Sequence, residues 1–363
     1  MLDGIRIVEI EGLGPGPFAA MMLADLGAEV ICVHRPGPAP AVTGGRSLLD
    51  RGKRSILLDL KSDGDLCTLL RLLDTADGVI EGFRPGVMER RGLGPDAVHA
   101  RNPRLVYGRM TGWGQDGPRA AQAGHDLNYI GLSGALWYAS PPGQPPFPPP
   151  TLLGDIGGGA LYLVAGMLAG LLRARETGQG TVVDAAIVDG SAHMMALLMA
   201  MRPGGGLMRA RGRSLLDGPH WSRCYVCADG GYLSVQCLEP KFYAEFLLRL
   251  GLAEDVQFAP QHDPALWPVQ AARLAGIFAQ EPLAHWVDLF AGSDACVAPV
   301  LSPEEAAQDP HMQARGTWLE AHGMLQPAAA PRFDGLPPAP PAAPPERGAD
   351  TQAILAELQE RPE

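Results

Sequence analysis

The chain carries only six cysteines, at Cys32, Cys67, Cys224, Cys227, Cys237 and Cys296. Nothing marks the protein for secretion, so these are expected to be reduced thiols. Cys224-Tyr225-Val226-Cys227 is a lone C-x-x-C motif. A structural zinc site wants a second pair at similar spacing, and none follows; no metal site is expected. No apolar run reaches the length of a membrane span without a charge or a glycine interrupting it. The first strand pattern starts so close to Met1 that a signal peptide is not expected. The terminal Glu360-Arg361-Pro362-Glu363 is not a peroxisomal Ser-Lys-Leu address, which leaves a cytoplasmic location as the expectation. Positive charge is also short: 29 Lys and Arg stand against 40 Asp and Glu, a net charge of −11. That balance argues against nucleic acid and anionic membrane as partners. An anionic ligand would have to be met by a local cluster of basic side chains. There is no internal repeat.

With 363 residues, 46% of them hydrophobic and 19% charged, the composition is that of an ordinary soluble chain long enough for two domains. Ile5 to Ile10 reads as a buried strand, Pro17 to Leu26 as a helix stopped by Gly27, and Ala28 to Val33 as a second strand. This βαβ order predicts a parallel sheet and an α/β fold. The first turn, Gly12-Leu13-Gly14-Pro15-Gly16-Pro17, imitates a dinucleotide fingerprint, but Pro17 stands where the third glycine belongs. The second strand ends in His34-Arg35 where NAD enzymes carry an acid, so an oxidoreductase reading fails. Arg35 suits a ribose phosphate better.

Further strands are predicted at Ser55 to Asp59, Gly78 to Glu81 and Leu105 to Met110, with a glycine- and arginine-rich loop from Gly44 to Arg54. Gly82-Phe83-Arg84-Pro85-Gly86 follows a strand directly, which is where an open α/β sheet places a ligand. Arg35, Lys53, Arg54, Lys61, Arg84, Arg90 and Arg91 supply cations enough for a pyrophosphate and a further phosphate. About half of such residues would ordinarily do no more than solvate the surface. Arg84, between two glycines, is the first choice and Arg35 the second.

Two segments carry acid–base potential: Ala123-Gly124-His125-Asp126-Leu127-Asn128-Tyr129 and Leu153-Gly154-Asp155-Ile156-Gly157-Gly158-Gly159. Each sets an ionisable side chain among glycines, where a ligand can approach the backbone. The second leads into a helical pattern from Ala160 to Leu172, which puts Asp155 at a helix mouth. The competing reading makes Asp155 a helix cap and His125 a hydrogen-bonded loop residue. Downstream, Asp189 is expected to cap a helix carrying Met194, Met195, Met199 and Met201. Such a stripe is usually core filler, though flexible, polarizable methionines could also adapt to varied apolar ligands.

The domains are expected at 1–187, completed by 325–363, and at 219–324, joined by a linker helix and loop over 188–218. The second opens with two alternating runs about Asp229-Gly230-Gly231, a hairpin signal. Glu239 then precedes Pro240 and the helix Lys241 to Leu250; glutamate caps poorly, so capping explains Glu239 only weakly. Helices at Gln270–Ala279 and Pro282–Ala291, an exit over Ser293 to Leu301 and a proline-rich connector from Pro327 to Pro345 complete the chain with a last helix, Ala349 to Gln359.

GHDLNYI at 124–130, LLGDIGGG at 152–159 and LEPKFY at 238–243 resemble the signature segments of the α-methylacyl-CoA racemases, in the CaiB/BaiF-type family III CoA-transferase superfamily. VIEGFRPGVMERRGLGPD, RMTGWGQDGPR and SDACVAPVL extend the likeness over nearly the whole chain. The resemblance implies a Rossmann-like large domain, a smaller α+β domain and an interlocked homodimer. Each site there lies between the large domain of one subunit and the small domain of the other. It implies an acyl-CoA substrate of fatty acid metabolism and a racemase reaction with no separate cofactor. Its bases would be His125 and Asp155, with Glu239 assisting His125, and CoA contacts are implied for Arg35, Lys61, Arg84, Asp126 and Tyr129. Backbone N–H groups near Asp126 would hold the enolate oxygen. Two rivals remain: a CoA-transferase with Asp155 as nucleophile, and a CoA-binding protein without catalysis. Leu216-Asp217-Gly218-Pro219-His220-Trp221 departs from the family's usual run, which bears on acyl specificity.

Overall fold

The computed structural model describes residues 1–38 and 47–360. The expected loop from Gly44 lies outside the described residues as far as Arg46, as do Arg361, Pro362 and Glu363. Six strands, β1 (Arg6–Ile10), β2 (Glu29–His34), β3 (Lys53–Leu57), β4 (Gly78–Glu81), β5 (Val106–Thr111) and β6 (Thr181–Ala186), form one sheet. Their order is β3-β2-β1-β4-β5-β6 and every neighbouring pair is parallel. The crossovers carry α1 (Pro15–Asp25), α2 (Asp63–Asp74), α3 (Val87–Arg90), α4 (Pro95–Arg101), α5 (Asp126–Ser133) and α6 (Leu161–Thr177), and α7 (Ile187–Met194) follows β6.

Both faces of this sheet are covered, which is why its strands read as unbroken apolar runs. Ile7, Ala20, Leu23, Leu163 and Met167 pack together on one face. Val8, Ile31, Leu69, Leu72, Tyr107 and Ile354 pack on the other. Successive strands step outward in one direction from β1 to β3 and in the other from β4 to β6. The loops leaving β1 and β4 therefore part, opening a crevice at the carboxyl ends of the strands.

The helix expected from Ala160 begins instead at Leu152, because residues Leu152–Ala160 wind as a π-helix that feeds α6. The Ile156 N–H reaches back five residues to the Thr151 carbonyl at 3.1 Å. Glycines permit the wide coil to lie against its neighbours: a Cβ on Gly154 would stand 2.3 Å from Asp126 Oδ1, and one on Gly158 would stand 2.3 Å from Ser191 Oγ. Such wide turns concentrate at functional sites. Asp155 lies in its first turn, so an acid near a helix start is observed, in a helix of another kind. Asp189 is not a cap. The strand β6 runs straight into α7, and the Val188 N–H finds the Gly112 carbonyl at 3.1 Å.

Residues 136–148 and 195–310 form a second compact unit; residues 1–135, 149–194 and 311–363 form the first. The stretch expected as a linker at 188–218 is thus divided after Met194. In the second unit follow α8 (Ala196–Ala200), β7 (Ser222–Val226), β8 (Tyr232–Gln236), α9 (Pro240–Arg249), α10 (Trp267–Phe278), α11 (Leu283–Phe290), β9 (Val297–Val300) and α12 (Pro303–Ala306). The hairpin about Gly230 forms as expected, and β9, read from sequence as a plain exit, adds an antiparallel edge strand. Pro299 disguises it, since proline is tolerated only at such an edge. Aromatic side chains of Trp221, Tyr225, Phe246, Phe258, Phe278 and Trp286 fill the core.

The chain then returns through α13 (Pro310–Arg315), the hairpin β10 (Trp318–Ala321) and β11 (Met324–Pro327), and α14 (Thr351–Gln359). This hairpin was not foreseen. His322 and Gly323 both take positive φ, 55° and 76°, the two-residue turn that a pairing of strands favours.

Candidate active site

A cavity of about 480 Å³ opens at the crevice of the parallel sheet. Leu13, Gly14 and Pro15 line it after β1; Gly82, Phe83, Arg84 and Pro85 after β4; Met110 to Trp113 at the end of β5; and Ile187 after β6. Gly124, His125, Tyr129 and Asp155 close the remaining wall. Four of the expected site residues, His125, Asp155, Arg84 and Tyr129, thus face one space.

His125 stands at the N-cap of α5, exposed, with extended backbone. The Asn128 side chain holds it there by accepting the His125 N–H at 3.0 Å. The competing reading of His125 as a hydrogen-bonded residue therefore holds for its backbone, and His125 also lines the cavity. Asp155 is half-buried, and its N–H donates to Asp126 Oδ1 at 2.8 Å. Across the cavity Gly14, at φ +70°, comes so near that a Cβ there would sit 3.6 Å from Asp155 Oδ2. Burial, and then the carboxylate of Asp126, push the Asp155 carboxyl up to about 6, with His125 pulling the other way. A carboxyl poised there exchanges a proton readily near neutral pH.

Asp126 is buried and its carboxylate is engaged with the Asp155 amide, so it shapes this wall from behind. As the first residue of α5 it also has an N–H with no intrahelical partner. The Tyr129 ring lies over Gly112 and edge-on to Trp113, centroids 4.7 Å apart, and its hydroxyl donates to the Gly124 carbonyl. A Cβ on Gly112 would fall 1.9 Å from Tyr129 Cζ, so the glycine makes room for the ring. Burial followed by the Asp155 charge raises the Tyr129 hydroxyl, keeping it a neutral donor.

The turn that leads to Arg84 is held by a buried acid that the sequence reading passed over. Buried Glu81, the last residue of β4, accepts the Phe83 N–H at 2.7 Å and Arg109 Nε at 3.2 Å. Arg109 in turn pairs with Glu89 on α3. An acid inside the apolar run Val79-Ile80-Glu81 was the available signal. The other expected cations divide. Arg35 and Lys61 are exposed beyond the carboxyl ends of β2 and β3, outside the lining of this cavity. Lys53 is buried with its ammonium 2.5 Å from Glu9, and Arg54 bridges Glu29 and Glu357. Those two hold the fold together and are not free to meet a phosphate.

Glu239 belongs to the second unit, where it is the exposed N-cap of α9 with no side-chain capping bond. Cys224 and Cys227 stand an odd number of residues apart in one extended segment, one exposed and one buried, and do not converge.

An open parallel sheet whose switch-point crevice is lined by a histidine and a raised carboxyl is an α/β arrangement capable of acid–base chemistry. The chain belongs to CoA-transferase family III, whose model matches residues 2–351. The α-methylacyl-CoA racemase of Mus musculus is 40% identical over 361 residues, which cover 98% of this chain and 93% of that one. The α-methylacyl-CoA racemase of Homo sapiens is 39% identical with the same coverage, 98% and 93%. A solved CAIB/BAIF family protein from Brucella suis superposes with a TM-score of 0.81 at 26% identity, covering 98% of this chain and 99% of that one.

Proposed function

We propose that this protein is a racemase of 2-methylacyl-CoA thioesters. The observation that carries the reading is that His125 and an Asp155 carboxyl raised to about 6 line the same cavity. One base removes the C2 proton from one face of the substrate. The other, already protonated, returns a proton to the opposite face, and the C–S bond stays intact throughout. A carboxyl poised near neutral pH can both take and return a proton, so Asp155 does not trap it in either direction. The enolate that forms between these steps needs donors aimed at its oxygen, and the Asp126 N–H is the candidate.

Arg84 serves as the contact for the phosphates of CoA, with Arg35 and Lys61 reached by the rest of the nucleotide. Remote binding of this handle positions the reacting carbon between the bases. No metal or separate cofactor enters the proton transfer. Glu239 assists His125, as the family resemblance implies, and is supplied by a second copy of the chain in a homodimer. Leu127, Leu132, Leu152 and Leu161 are apolar and exposed on the first unit, which supports association.

The family also contains CoA-transferases, in which the residue matching Asp155 would attack the thioester carbonyl and release CoA thiolate. Incubation of (2R)-2-methylacyl-CoA with enzyme in D2O, followed by proton NMR, tests the choice. The racemase reading expects one deuterium at C2 and an approach to both epimers. A hydroxamate trapped at Asp155 by hydroxylamine, with C2 still fully protiated, would establish the transferase instead.

A further inference from the structure

Away from the cavity, under α1, the parallel sheet carries a second group of chemically capable side chains. Cys32 and His34 alternate on one face of β2, and Asp50 approaches them from the single 3-10 turn Leu48–Asp50. Cys32 Sγ lies 3.5 Å from His34 Nε2, and Asp50 Oδ2 lies 3.8 Å from the same nitrogen. One ligand atom from each of the three falls within 4.8 Å of the others. Both β2 side chains are buried, at 2% and 4% exposure.

We propose that Cys32, His34 and Asp50 form a site for a borderline-soft divalent cation of the zinc class. The distances fit such an ion. A sulfur at about 2.3 Å and a nitrogen at about 2.0 Å from a tetrahedral zinc are about 3.5 Å apart. The Asp50 oxygen needs a swing of about 0.5 Å to meet the corresponding nitrogen–oxygen spacing. The ring of His34 is already fixed from behind, as ligating histidines are: its Nδ1 meets Ser55 Oγ at 2.8 Å, which leaves Nε2 toward Cys32 and Asp50.

Neighbouring charges permit the ion. Lys53 gives its ammonium to Glu9 Oε2 at 2.5 Å and to the Pro17 carbonyl at 3.1 Å. Its approach to Asp50 is at the other carboxylate oxygen, Oδ1, at 3.8 Å. Arg347 is paired with Glu11. With those pairs cancelling, a Cys32 thiolate and the Asp50 carboxylate match a divalent charge. Binding replaces the Cys32 S–H bond with a metal–sulfur bond and releases that proton to solvent, so affinity rises with pH. The ion would pin the 3-10 turn to the sheet. It plays no part in proton transfer.

Cobalt(II) is the probe. The full-length protein, stripped with chelator and held in a thiol-free reductant, is titrated with Co2+. The expected result is one equivalent with a near-ultraviolet thiolate-to-cobalt charge-transfer band, displaced by Zn2+. Cys32→Ser, folded by circular dichroism, should lose that band while keeping racemase turnover. Asp50→Asn should weaken binding by more than the roughly tenfold that loss of an outer-shell partner costs. It reports in place of Cys32→Ser should that variant fail to fold. No band in the wild type overturns the site. A band that survives Cys32→Ser assigns the metal to the exposed Cys67, Cys224 or Cys296 and overturns it equally.

Discussion

Asp155 holds its proton up to about pH 6 because burial and the Asp126 carboxylate both oppose its charge. Between its ordinary value near 3.8 and about 6, the folded protein therefore binds more protons at this site than the unfolded chain. Stability must fall as pH rises through that window, and stay lower above it. Asp155→Asn, which carries no charge at any pH, is expected to unfold at higher denaturant than wild type at pH 8. The gain should be about 1–2 kcal/mol, after allowing for solvent screening of a half-buried group. The two proteins should converge below about pH 4. Urea melts at both pH values measure it, and a wild type as stable as the variant at pH 8 would contradict the assignment. In catalysis the sign reverses, because a base must be ionised. The kcat/KM for the enantiomer that Asp155 deprotonates should rise with pH through about 6.

The same pair predicts a division of labour. His125→Ala and Asp155→Ala should each abolish racemisation, since a full cycle needs one group to take a proton and another to give one. Each variant should still exchange the C2 proton of the single enantiomer facing its surviving base. By the resemblance, His125 faces the 2S proton and Asp155 the 2R. Deuterium incorporation followed separately for the two enantiomers reads this directly. Arg84→Ala touches the handle and not the reacting carbon. It should raise KM roughly tenfold to a hundredfold, the loss of a charged hydrogen bond, and alter kcat much less.

At the scale of elements, the π-helix is the part that sets the cavity wall carrying Asp155. Its Gly154 faces α5 with no room for a methyl group: the added carbon would meet Asp126 Oδ1 at 2.3 Å and Ile130 Cγ2 at 2.7 Å. Gly154→Ala should therefore displace Asp155 from its place beside Gly14. A cost of about 1–3 kcal/mol in stability is expected from overpacking. A fall of about a hundredfold in kcat is expected from misplacement of the reacting group. Thermal melts and steady-state kinetics separate the two effects. A variant with normal kcat would show that the π-helix is only packing.

The parallel sheet was legible because strands buried on both faces write themselves as apolar runs, Ile5 to Ile10 being the plainest. His125 and Asp155 stood out as ionisable residues among glycines, and the structure brings both to one cavity. The π-helix was not, since a wide coil and an α-helix share the same local composition and differ only in what they pack against. Glu81 and Lys53 were misjudged or passed over for a related reason. Which charges are buried in pairs depends on partners in other strands, and Lys53 meets Glu9 across 44 positions of sequence. The β10–β11 hairpin had a signal in His322-Gly323, but its strands are four residues each and the second ends in Pro327.

For the whole molecule, the far edge of the parallel sheet depends on the end of the chain. Arg54 on β3 grips Glu357, the Ser55 N–H donates to Asp350 at 2.8 Å, and Ile354 and Leu358 of α14 are buried in the core beneath. Removal of residues 347–363 should cost about 3–6 kcal/mol from those two apolar side chains alone. Limited proteolysis should then cut first near β3. Full resistance there would show that the edge stands without its clasp.

That clasp has a consequence in time. The bond between Arg54 and Glu357 joins positions 303 apart, and the second unit occupies 195–310 in between. During synthesis the first sheet strands leave the ribosome early, yet β3 must wait unclasped until the last helix emerges. The inserted unit, built from one nearly continuous stretch, can finish while its host is still incomplete. So distant a closure favours slow folding. In the interval the nascent chain exposes an unprotected strand edge, the surface most prone to pair with another copy.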